Sequence, residues 1–178
     1  MELRSVVAEV VAVRAQPDEE AEQVTQALAG EPLTVEEWRD GWARVRTVYD
    51  YPGWVRAEAL EGGDPVEAAR SYLETPYLWG GLTERGIDCS GLVHMAYRRT
   101  GRIVPRDADQ QEAAGREVDE PRPGDLVTYG DDEAADHIGF WLGDGRILHA
   151  TGREGVNGVL EEPEPEDYRQ RRRKFVRL

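Results

Sequence analysis

Cys89 is the only cysteine in the chain, and it stands in GIDCSGLVHMAYRRTG (86–101) between an acid and an apolar repeat. Cys89, Leu92, Val93 and Ala96 fall at i, i+3, i+4 and i+7, one face of a helix whose first turn carries the cysteine. At that end the helix dipole and free N–H groups favour a thiolate and predict a lowered thiol pKa. Such a residue is a nucleophile, a metal ligand, or a thiol packed into the core with no chemistry. Asp88 and Ser90 on either side make the setting polar.

A thiol nucleophile needs a base, and the chain has three histidines. His94 lies about 140° round the helix from Cys89 and points away, as a surface or packing residue. The other two sit in HIGFWLGDGRILHA (137–150), two strands joined at GDG. A three-residue turn at 143–145 with a glycine bulge sets residue 139 opposite 149 and 137 opposite 151. His137 and His149 then share a face as diagonal neighbours, roughly 7–8 Å apart. A two-residue turn would flip the parity and split them. In the first register Cys89, His137 and His149 form a relay: one imidazole takes the thiol proton and the second orients the first. Zinc held by the same three residues is the alternative by ligand type, although the spacing lacks a close ligand pair.

The rest of the composition narrows the setting. A lone cysteine forbids an internal disulfide and a Cys-rich zinc site. A net charge of −14 argues against nucleic-acid partners. The run RQRRRK (169–174) is expected as a solvated helix face entering a last strand. With 39% hydrophobic and 33% charged residues the chain is globular, and no apolar run approaches the roughly 20 residues of a membrane helix. No metal or cofactor is expected, and the sequence does not set an oligomeric state. MELRSVVAEVVAVRAQP has no secretory-leader pattern, so the expectation is a cytoplasmic protein, or a secreted one if a leader has been removed.

The elements that must position these residues fall into two parts, 1–62 and 63–178. The first shows SVVAEVVAVRA as one alternating strand, then PLTVEEW, GWARVRTV and YPGWVRAEAL, a spacing that suggests a small β-barrel. EGGD (61–64) is a short joint, with Asp64 placed to cap a helix that starts at Pro65. The second part shows helices over PVEAARSYLE and from Cys89 to Gly101, then strands at DLVTYG, HIGFWLG, RILHATG and KFVRL. Helices followed by a meander make an α+β fold.

Five ordered motifs, YLWGG (77–81), DCSGLV (88–93), PRDADQQ (105–111), PGDLVTY (123–129) and HIGFWLGDGRILHA, resemble the NlpC-type, papain-like cysteine peptidases of bacterial cell-wall peptides. The front part, with GWARV and YPGWV, resembles a bacterial SH3-like domain. The resemblance implies a nucleophile at Cys89, a general base at His137 and an orienting His149. It places Tyr77 near the oxyanion, and Ser90 and Arg106 among the substrate contacts. It implies a murein peptide substrate, cut at a γ-D-glutamyl bond to a diamino acid. In members with this front domain a free L-alanine amine is required; Asp88, Glu31 and Tyr51 are the candidates to hold it. Asp109 departs from the small hydroxyl residue usual there, and would repel a glutamyl carboxylate unless Arg106 compensates. Two rival functions share these residues: an amidase or acyltransferase on the same Cys–His core, and a non-catalytic module that binds wall peptides.

Overall fold

The computed structural model describes residues 2–60 and 62–178, so Glu61 of the expected joint lies outside the described residues. The chain divides into two compact units, one running up to Asp64 and including Tyr97–Ile103, the other made of Pro65–Ala96 and Val104–Leu178.

The first unit is a six-stranded antiparallel sheet. Its strands are β1 (Glu2–Ser5), β2 (Val10–Arg14), β3 (Gln23–Leu28), β4 (Pro32–Arg39), β5 (Trp42–Arg46) and β6 (Pro52–Arg56). They are ordered β1-β4-β5-β6-β2-β3. Alternating residues point to one core built from Val6, Val13, Leu33, Val35, Val45, Val55 and Leu60. The single strand expected over 5–15 is two strands, because the chain changes partners midway. β1 pairs with β4 and β2 with β3. Between them Val6 and Val7 donate their N–H groups to the Glu31 and Ala59 carbonyls. β3 is a strand the sequence reading passes over. In the same unit Arg98 Nε donates to the Gly30 carbonyl at 2.7 Å, and Ser5 Oγ to the Arg98 carbonyl at 2.8 Å.

The second unit opens with α1 (Pro65–Arg70), the short ribbon β7 (Leu82–Thr83) and β8 (Gly86–Ile87), and α2 (Cys89–Arg99). There follow α3 (Ala108–Ala114), β9 (Arg116–Glu117), β10 (Leu126–Gly130), β11 (Ala135–Gly143), β12 (Arg146–Thr151), β13 (Gly158–Pro163), α4 (Glu166–Gln170) and β14 (Arg172–Arg177). The sheet order is β13-β12-β11-β10-β14-β9. α1 stops at Arg70, short of the expected Glu74. The next residues bond elsewhere: Glu74 N–H reaches the Val159 carbonyl, and Val159 N–H the Thr75 carbonyl, each at 2.9 Å. The basic run is shared as expected, between the end of α4 and β14.

The β11–β12 hairpin decides what the histidines can do. Its tip is a two-residue turn, Asp144-Gly145, with φ of 51° and 71°, the positive pair of a type I′ turn. Gly143 pairs with Arg146, but Trp141 pairs with Ile147, so Leu142 is an extra residue in β11. A plain two-residue turn would have split the histidines. The bulge restores the lost parity, and Phe140 faces Leu148. The expected register, 139 opposite 149, is therefore present but is made by a different turn. Opposite His149 stands Gly139, where a Cβ would come within 2.9 Å of the His149 Cβ and 3.0 Å of the Leu148 carbonyl oxygen. Gly139→Ala is expected to force the strands apart at a cost of about 1–3 kcal/mol. For a chain of this size thermal unfolding should fall by about 2–4 °C for each kcal/mol lost.

Candidate active site

Cys89 opens α2 because its neighbours tie that end of the helix down. Asp88, 5% exposed, accepts hydrogen bonds from the backbone N–H of Gly91 and of Gly80, each at 2.7 Å. It also accepts one from Arg106 Nη2 at 2.8 Å. Arg106 Nη1 donates to Ser90 Oγ at 2.8 Å. A buried carboxylate needs such donors, and these three fix the loop before the cysteine. The Arg106 guanidinium comes from the PRDADQQ loop, which is held in turn by the fully buried Gln111. Its amide donates to the Ser90 and Pro105 carbonyls at 2.9 and 2.8 Å.

The two histidines meet as the register requires. His137 Nε2 and His149 Nδ1 are 2.8 Å apart. His149 Nε2 lies 2.8 Å from Oε1 of Glu162 on β13, and Arg153 Nη2 donates to Oε2 of the same carboxylate at 2.6 Å. Tyr168 of α4 stacks on the His137 ring with centroids 4.6 Å apart and bonds Thr151 through its hydroxyl at 2.8 Å. Glu162 and Tyr168 escape the sequence reading. Glu162 sits in an acidic, proline-rich run that looks solvated. Taking 158–163 as a strand beside β12 puts Glu162 opposite Ile147 and Leu160 opposite His149, all on one face.

Burial sets the protonation states. Burial first, and the Asp88 charge second, push the Cys89 thiol up to about 11, although N–H groups of Ile138 and Ser90 act the other way. The thiolate expected from the helix start is thus corrected: the dipole is there, but the sulfur is too buried and too close to a carboxylate. Burial, reinforced by His149, holds His137 well below the ordinary histidine range. Burial would raise Glu162, but its bonds from His149 and Arg153 win and hold it at about 2. These shifts leave Cys89 a thiol and His137 a neutral imidazole at neutral pH. Tyr77 lies against Gly152. Burial and then Cys89 raise its phenol to about 12, so it remains a donor.

A cleft of about 470 Å³ opens beside Cys89, lined by Trp79, Asp88, Ser90, Arg106, Asp109 and Asp136 among others. Trp79 is 81% exposed at its rim. Thus Tyr77, Asp88, Cys89, Ser90, Arg106, His137 and His149 all belong to the second unit. Glu31 and Tyr51 belong to the first. There Glu31 Oε2 accepts the Leu28 N–H at 3.0 Å while its Oε1 is buried without a partner, and Tyr51 is 45% exposed. His94 is a packing residue, its Nδ1 2.8 Å from the Val104 carbonyl. Both ring nitrogens of His149 are hydrogen-bonded, which leaves neither to ligate zinc. No helix among the described residues is long and apolar enough to cross a membrane.

Residues 74–176 match the NlpC/P60 family, and residues 13–60 match the bacterial dipeptidyl-peptidase Sh3 domain. A gamma-D-glutamyl-L-lysine dipeptidyl-peptidase of Bacillus subtilis is 32% identical over 136 residues, covering 68% of this chain and 45% of that protein. A probable endopeptidase of Corynebacterium glutamicum is 36% identical over 106 residues, 58% of this chain and 50% of its own. The chain thus spans about half the length of these two relatives. The crystal structure of an NlpC/P60 family protein from Bacillus cereus shares the fold over 99% of this chain and 63% of its own, with a TM-score of 0.62 at 22% identity. The NlpC/p60 domain of the peptidoglycan hydrolase SagA aligns over 65% of this chain and 97% of its own, with a TM-score of 0.55 at 30% identity.

The thiol state is open to direct measurement. Iodoacetamide should alkylate Cys89 at pH 7 no faster than it alkylates a free cysteine, with a rate that climbs through pH 9 without a plateau. A plateau at neutral pH would show a resting thiolate and overturn the neutral pair.

Proposed function

The chain belongs to the NlpC/P60 family of cysteine peptidases, and we propose that it hydrolyses the γ-D-glutamyl bond to a diamino acid in short murein peptides with a free N-terminal L-alanine. The observation that carries this reading is the hydrogen-bonded chain His137–His149–Glu162, within the family-matched segment that also holds Cys89 at a helix start.

In this reading the Cys89 sulfur attacks the γ-carbonyl carbon while its proton passes to His137. Because the thiol rests protonated, attack and proton removal occur together, as general-base catalysis. The developing oxyanion is received by backbone N–H groups at the start of α2 and by the Tyr77 hydroxyl. The carbon–nitrogen bond breaks as His137 returns the proton to the leaving α-amine of the diamino acid, leaving a γ-glutamyl thioester on Cys89. Water then gives a proton to His137 and its oxygen to the acyl carbon. The thiol leaves with that proton, and the free γ-carboxylate is released.

The cleft supports a cationic substrate. Asp88 is already neutralised by Arg106, while Asp107, Asp109 and Asp136 add carboxylates to the lining. Of these Asp136 is paired with Arg171. Asp109 and Asp107 then favour the ammonium of a free amine over a blocked one. Arg106, a cation of this lining already shared with Asp88 and Ser90, is the group proposed to face the α-carboxylate of the glutamyl residue.

The test is incubation with L-Ala-γ-D-Glu-L-Lys and its diaminopimelate counterpart, followed by mass spectrometry. The expected products are L-Ala-D-Glu and the free diamino acid. Cys89→Ala and His137→Ala should each lower kcat by at least about 10³-fold while remaining folded. Absence of cleavage of either peptide would overturn the assignment. N-acetylation of the alanine should lower kcat/KM by about 10-fold or more, since a charged group loses its partners; equal rates would remove the free-amine requirement. His137 must be neutral to act, and its pKa lies well below 6.5. As pH falls, kcat/KM should therefore hold through pH 6.5 and drop only below it.

A further inference from the structure

Glu162 is more than a neighbour of the relay. Its Oε1 meets His149 Nε2 at 2.8 Å, and its Oε2 receives Arg153 Nη2 at 2.6 Å. An ionised carboxylate only accepts hydrogen bonds, so the proton in the first contact sits on His149 Nε2. A neutral imidazole carries one proton, so His149 Nδ1 is a lone pair. The 2.8 Å contact between the rings therefore takes its proton from His137 Nε2. That leaves His137 with an unprotonated Nδ1. The Cys89 sulfur lies by the Ile138 N–H, the residue next to His137.

We propose that Glu162, oriented by Arg153, is a positioning residue that fixes the tautomers of both histidines and so keeps Nδ1 of His137 free to act as the base. The inference deepens the peptidase reading and rests on it for its kinetic consequences, but the proton positions stand apart from any activity. Arg153 makes the carboxylate's two oxygens unequal in duty. One oxygen must accept from a guanidinium, which can never accept in return. A glutamine at 162 would satisfy that demand only with its carbonyl oxygen. Its NH₂ would then face His149 Nε2 and turn that nitrogen into an acceptor. His149 would carry its proton on Nδ1 and donate to His137 Nε2, and His137 would hold its proton on Nδ1, where the base is needed.

Long-range proton–nitrogen NMR of the full chain reads these positions directly, and three histidines make the spectrum assignable. His94 is an internal standard: its Nδ1 lies 2.8 Å from the Val104 carbonyl, which only accepts, so it is the Nδ1–H form. The wild type should show His94 as Nδ1–H and both His137 and His149 as Nε2–H. Glu162→Gln should convert His137 and His149 to Nδ1–H and leave His94 unchanged. Its kcat should fall by about 10²- to 10⁴-fold, the range seen when an orienting carboxylate in a triad becomes an amide, with KM within about twofold. Glu162→Gln combined with Arg153→Met keeps the stem of residue 153 but frees the amide to turn its oxygen to His149. This double variant should regain the Nε2–H forms and at least 10-fold in kcat over the single one. Unchanged tautomers in Glu162→Gln, or a double variant slower than the single, would overturn the proposal and make Glu162 a structural partner only. If the wild type cleaves no peptide, the peptidase reading fails while the spectra still decide the tautomers.

Discussion

One buried hydrogen bond, His137 Nε2 to His149 Nδ1 at 2.8 Å, is the constraint to which the second unit is built. Two imidazoles out of water stay neutral and keep their polar atoms satisfied only if each finds a partner. His149 is fully buried and has nothing else to bond but Glu162. The strand that carries Glu162, the bulge that aligns the hairpin and the glycine across from His149 all serve this contact. Tyr168 closes it from above, stacked on His137 with its own hydroxyl tied to Thr151. The polar chain is therefore enclosed by aromatic surface, and the same enclosure that protects it sets its protonation.

That enclosure has a cost at the nucleophile. The helix start offers Cys89 its N–H groups, but burial and the adjacent Asp88 carboxylate oppose ionisation more strongly. Asp88 cannot simply be absent, since it anchors the N–H groups of Gly80 and Gly91 and holds Arg106. Positioning the sulfur and ionising it are competing demands, and this fold favours position. Chemistry that begins from a neutral pair relies on the base rather than on a standing thiolate, so the proton positions along the histidine chain carry more of the burden than they would otherwise.

Much of this was legible in the residues. Cys89, His137 and His149 stand out by type, and the register that joins them follows from residue parity around GDG. The α+β order and the Cys89 helix, ending before a Gly101 with φ of 84°, follow from periodicity and a stop signal. What escaped did so for identifiable reasons. A two-residue turn plus a bulge gives the same pairing as a three-residue turn, and spacing alone does not separate them. α3 is about two turns long, too short for a helical repeat to emerge. Glu162 was masked by its company: an acid among acids and prolines carries no periodic mark, and only the pairing of β13 with β12 turns it inward. The break between β1 and β2 was hidden because Val6, buried in the core, continues the apolar alternation across the point where the chain changes partners.

The bulge at Leu142 also bears on how this hairpin can vary. Between Trp141 and Ile147 the two strands contribute unequal lengths, and the surplus residue is absorbed at the tip rather than passed down the ladder. Losing that residue would leave a regular two-residue hairpin with Trp141 still opposite Ile147 and the histidines still on one face. The tip is thus a length buffer, able to shed one residue while the deep half of the ladder keeps its phase. A single-residue deletion between His137 and Trp141 has no such refuge, because each position there is already paired with β10 as well. Variation in chain length is therefore expected to accumulate at the exposed end of the hairpin and to be excluded from the half that holds the histidines.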